Sequence, residues 1–103
     1  MSEPVKTPED CTTMLDVRAG VDETDRQLMK LLETRFGYMR AAARIKPERG
    51  AVRDEERKAS VIDAVEQAAV KAGLPANAIG KIWNDLVETS IAYELVEWDR
   101  LRD

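Results

Sequence analysis

The chain has no histidine and only one cysteine, Cys11, among its 103 residues. Those two shortages remove disulfide frameworks, ordinary zinc sites and every nucleophile–histidine arrangement, so any chemistry here proceeds without imidazole. Long apolar runs are missing as well. Nothing approaches the length of a membrane span, and Met1-Ser2-Glu3-Pro4-Val5-Lys6 does not resemble a signal peptide, so the expected location is the cytoplasm. No stretch alternates with period two, and helices alone are expected. The chain also lacks an excess of positive charge. With 16 Lys and Arg against 20 Asp and Glu, the formal net charge is −4, which excludes the broad basic face that nucleic acid requires. Any basic site must be local.

What is present, 44% hydrophobic and 35% charged residues, fits one small domain, expected over residues 7–103 behind a disordered tail at 1–6. Thr7-Pro8-Glu9-Asp10 reads as a helix opening: a threonine cap, a proline in the first turn, then two acids facing the positive end of the helix. Leu28, Leu31, Arg35, Met39, Ala42 and Lys46 keep a spacing of three and four, and no strong breaker intervenes before Pro47. A helix from Pro8 to Lys46 would be about 58 Å long. A globule of this size has a radius of gyration near 13 Å, roughly, so such a helix needs a cover. The simplest cover is a second copy, and a homodimer is expected. Pro47-Glu48-Arg49-Gly50 forms a turn. A second helix is predicted from Asp54 to about Ala72, with Val61, Ile62, Val65, Ala68 and Ala69 inward, and Gly73 ends it. A third runs from Pro75 to about Leu101, with Ile79, Ile82, Trp83, Leu86 and Val87 on its buried side. The expected fold is all-α: three helices, one very long.

The informative residues are the polar ones on apolar stripes. A buried unpaired cation is expensive, so Arg35 and Lys46 among leucines point to an anionic ligand. They lie about 20° apart around the helix and about 16.5 Å apart along it. Arg18 is about 42 Å from Lys46 along the same axis and serves the same ligand only if an antiparallel partner delivers it. Asp54 and Lys58 continue the stripe of the second helix, with Arg57 one turn before Val61; Ser90 and Glu94 extend that of the third. Each cation taken singly also fits a snorkelling or acid-paired side chain, and Met14, Met29, Met39, Trp83 and Trp98 fit core or interface positions. The argument for a site is the coincidence of phase across three helices.

These residues resemble the all-α, type II chorismate mutases and the related isochorismate-pyruvate lyases over nearly the whole chain, Thr7 to Trp98. The pattern consists of Arg18, Leu31-Leu32-Glu33-Thr34-Arg35, Lys46, Val52-Arg53-Asp54-Glu55-Glu56-Arg57, and Ser90 with Glu94. The resemblance implies an intertwined helical homodimer in which each site takes one arginine from the neighbouring protomer. It implies that Arg18 of the partner protomer and Arg35 bind the two carboxylates of chorismate, that Lys46 reaches a carboxylate and the ether oxygen, and that Asp54 takes the ring hydroxyl. Arg57 and Ser90 would support carboxylate binding. Conversion of chorismate to prephenate is intramolecular, so no cofactor and no metal are expected, and the partners are a small anionic substrate and a second copy, with neither nucleic acid nor membrane.

Three departures stand out. Lys58 occupies a position where the family commonly has Glu. The last-helix Gln is Glu94, which donates a hydrogen bond only when protonated, so mutase activity is expected to be greatest in mild acid. The Thr7-Pro8-Glu9-Asp10-Cys11 opening and the short Lys46-to-Asp54 interval resemble the lyase branch, which makes salicylate and pyruvate from isochorismate. Retention of Asp54 favours the mutase; the lyase, and a catalytically silent regulatory module, are the alternatives.

Overall fold

The computed structural model describes residues 5–103, and residues 1–4 of the expected tail lie outside them. It divides into two units, Met1–Arg35 and Phe36–Asp103. Three α-helices account for most of the described residues: α1 over Met14–Ile45, α2 over Glu55–Lys71 and α3 over Ala76–Leu101. None of them is long and apolar enough to cross a membrane.

The first helix starts later than its sequence suggests. Pro8–Asp10 closes only a single 3-10 turn, Thr7 makes no side-chain cap bond, and Cys11 is extended. The effective start is Thr13, whose hydroxyl accepts from the Asp16 N–H at 3.1 Å while its own N–H donates to the Asp16 carboxylate at 3.3 Å. That reciprocal pair satisfies two orphan helix donors, which the proline opening cannot do. The same carboxylate accepts from the Thr12 N–H at 3.1 Å and from Lys6 at 3.2 Å. These donors, the Thr12 N–H foremost, pull the Asp16 carboxyl from 3.8 down to about 2.

Within the second unit the local signals hold. Asp54 caps α2 by accepting from the Arg57 N–H at 3.0 Å. Gly73, at φ 72°, lets the Leu74 N–H reach back to the Ala69 carbonyl at 2.8 Å and closes the helix in a Schellman turn. α2 packs against α3, and the core gathers Val52, Val87 and Ile91, with Val61, Trp83, Leu95 and Trp98 against them. Ile82 and Ala68 face outward instead of inward. The buried stripe of α3 runs through Gly80, Val87, Ser90, Ile91 and Glu94, which leaves Ile82 roughly 135° from its centre.

Candidate active site

Lys46 stands just past the end of α1, where its N–H still donates to the Ala42 carbonyl at 2.9 Å and Pro47 stops the ladder. Its ammonium donates to Glu94 Oε2 at 2.8 Å and, more weakly, to the Val52 carbonyl at 3.4 Å. An ammonium has three N–H donors, and these two are the ones engaged among the described residues. Glu94 is delivered by the buried stripe of α3 and is 3% exposed. A carboxylate that deep needs a partner, so Lys46 is paired where the apolar stripe alone predicts an unpaired cation. Ser90, one turn earlier on α3, is equally buried; its hydroxyl donates back to the Leu86 carbonyl at 2.7 Å.

The start of α2 forms a second polar group. Asp54 and Arg57 meet there through the cap, with both residues exposed. Lys58 donates to Glu88 Oε2 at 2.8 Å, and Arg53 grips the same carboxylate with two bonds, at 2.8 and 3.0 Å. The Arg53 guanidinium first, then Lys58, hold the Glu88 carboxyl at about 2 instead of the usual 4.5. The charge of Lys58 is thereby committed to α3.

Lys46 is thus brought together with Glu94, and Asp54 with Arg57, while Ser90 stands one helical turn from Glu94. Arg18, exposed, and Arg35, half-buried, are carried by the α1 stretch of the first unit. The sequence alone does not single out Glu88 or Arg102, and it gives Trp98 as a core or interface residue. The four-residue spacing of Glu94, Trp98 and Arg102 was the available signal, since it places the first two on one face of α3 and the third at its C-cap. Among the described residues no group of three or more His, Cys, Asp or Glu is placed to hold a metal ion. A lysine fixed by a buried acid, with a further N–H to offer, can bind an anion or donate to an oxygen that gains charge.

Residues 17–95 match the family described as chorismate mutase type II, a span that takes in every candidate from Arg18 to Glu94. The chain belongs to the type II chorismate mutase family. It is also similar to the isochorismate pyruvate lyase of Pseudomonas aeruginosa, at 31% identity over 98 residues, covering 95% of this chain and 97% of that protein. The type II chorismate mutase family therefore includes, among the relatives of this chain, a protein named for a different reaction. Membership makes the chain an enzyme of the chorismate mutase type and leaves the choice between isomerase and lyase to chemistry at the site.

Proposed function

We propose that the chain rearranges chorismate to prephenate at a site centred on Lys46 and Glu94. The observation that carries this reading is the Lys46 ammonium, set at 2.8 Å from a buried carboxylate with an N–H left to donate. In the rearrangement the ether C–O bond breaks as a C–C bond forms within the same molecule, so the protein needs no nucleophile. It must hold a compact conformer and stabilise the charge that grows on the ether oxygen. Lys46 supplies that donor and binds a substrate carboxylate. Glu94 orients the ammonium when ionised and donates to the ether oxygen when protonated. Asp54 takes the ring hydroxyl, Arg35 and the Arg18 of a second protomer bind the two carboxylates, and Arg57 and Ser90 support them. The homodimer is supported by the large apolar side chains that α1 leaves exposed, among them Leu15 at 78% and Leu31 at 65%.

The second reading is an isochorismate-pyruvate lyase, favoured by the name of the Pseudomonas relative. Asp54, which the rearrangement uses for the ring hydroxyl, weighs against it. Purified protein assayed with both substrates separates the two. The expected result is prephenate from chorismate, with kcat/KM higher than for isochorismate. Salicylate and pyruvate formed from isochorismate with the higher kcat/KM would assign the lyase instead, and turnover of neither would leave a silent module.

A further inference from the structure

A helix C-terminus leaves carbonyls without partners, and a lysine placed there rests on a backbone prone to fraying. In α1 those carbonyls are filled from the far end of α3. The Arg102 guanidinium donates through Nη1 to the Ala43 carbonyl at 3.0 Å and through Nη2 to the Lys46 carbonyl at 2.8 Å. The Trp98 indole N–H donates to the same Lys46 carbonyl at 3.0 Å. Arg102 in turn lies over the Trp98 ring, 4.2 Å from its centroid, and Nη1 also reaches the Trp98 carbonyl at 3.3 Å.

Glu94 and Trp98 are spaced by four and share one face of α3, and Arg102 follows four residues on as its C-cap. Glu94 holds the ammonium of Lys46, and the other two hold its carbonyl. One stripe therefore grips the lysine at both ends. We propose that Trp98 and Arg102 are positioning residues that fix the backbone of Lys46 and so place its ammonium for the substrate. The physical need is plain: a lysine side chain has large rotamer freedom, and an ångström of misplacement at a reacting group costs on the order of a hundredfold in rate. Arginine suits the task because its planar fork spans two carbonyls while its face stacks on the indole.

The proposal rests on the reading of Lys46 as the substrate's cation, and its test includes a measurement that does not. In the full-length chain, Arg102→Ala should lower kcat for chorismate by about ten- to a hundredfold with a smaller change in KM. Trp98→Phe, which keeps an aromatic ring under Arg102 and removes the donor, should lower kcat by several-fold, roughly the scale of one hydrogen bond. Arg102→Lys should restore part of the loss, since an ammonium still donates to a helix end. In each variant NMR should show the Lys46 amide shifted, and in Arg102→Ala exchanging about tenfold faster, the scale of losing a charge-assisted hydrogen bond. An unchanged kcat in both Arg102→Ala and Trp98→Phe overturns the proposal. So does a kcat that falls only in step with thermal stability while the Lys46 amide stays unmoved. If the unmodified protein turns over neither chorismate nor isochorismate, the reading of the site fails. The clamp is then decided by exchange alone, and unchanged Lys46 exchange in Arg102→Ala rejects it.

Discussion

The two units of this chain solve the problem of apolar surface in opposite ways. In the second, Phe36–Asp103, α2 and α3 bury Ala69, Val87 and Ile91, and Val52 from the connection joins Val87 and Ile91 in one cluster. In the first, no described residue is buried, and Met14, Leu15, Val21, Leu28, Met29 and Leu31 are all at least half exposed. The second unit thus carries a core of its own, and with it the Lys46–Glu94 pair. The first carries two of the expected substrate arginines on a helix that is apolar where it meets solvent. A stretch of that kind is stabilised by association, which is the physical reason to propose a second copy on α1.

The widest test of this contrast compares a core residue with a stripe residue. Ile91→Ala, at a site 8% exposed, should cost about 2–5 kcal/mol of stability in denaturant melts, whatever the protein concentration. Leu31→Ala would cost less than about 0.5 kcal/mol in a lone chain. In a dimer its cost becomes concentration-dependent, and light scattering on the unmodified protein reads about twice the 11.6 kDa chain mass. A folded monomer at micromolar concentration would break the comparison, because α1 would then tolerate its apolar face in water.

Catalysis offers the next test. Lys46→Ala should lower the turnover number by roughly a hundredfold or more, the scale of losing one preorganised charge-stabilising donor. Mixing it with Arg18→Ala should restore activity, because one heterodimeric site then holds both residues. No recovery despite demonstrated chain exchange would confine Arg18 to its own protomer or remove it from the site.

A smaller effect is expected at Glu94. Glu94→Gln, whose amide donates to the ether oxygen without needing a proton from solution, should preserve or raise activity at neutral pH. A large loss of activity in that variant would leave Glu94 with the orienting role alone.

The smallest effects are in acid, one from each unit. Asp16, capping α1, and Glu88, held by Arg53 and Lys58, have carboxyls lowered from 3.8 and 4.5 to about 2. A carboxyl depressed in the folded state stabilises above its unfolded value, so both contributions are present above pH 4.5 and are lost as pH falls through about 2. Asp16→Asn and Glu88→Gln should each flatten the loss of stability between those limits, read by circular dichroism melts across pH. A slope left unchanged by Glu88→Gln would show that the Arg53 and Lys58 contacts contribute nothing in solution.

Much of this was legible in the sequence because it depends on neighbours along the chain. Asp54 caps α2 and Gly73 closes it where local rules place them, since the acceptor lies three residues from its donor and a positive φ favours glycine. The three helices follow from periodicity, and the pattern from Arg18 to Glu94 is legible through its resemblance to the family. The start of α1 was less legible: two cap signals compete within six residues, each worth about 1 kcal/mol, and Asp16 reaching back to Thr13 decides between them. Tertiary structure alone decided the rest. Spacing places Glu94 on a buried stripe, but only packing puts its carboxylate on an ammonium 48 residues away, and only packing commits Lys58 to Glu88. The same holds for Arg102, a residue next to the chain end that local pattern treats as solvated and that the fold lays across the last carbonyls of α1. Local hydrogen-bond geometry is written in the order of residues; the meeting of distant charges depends on which faces the core has brought together, and no window of sequence contains both.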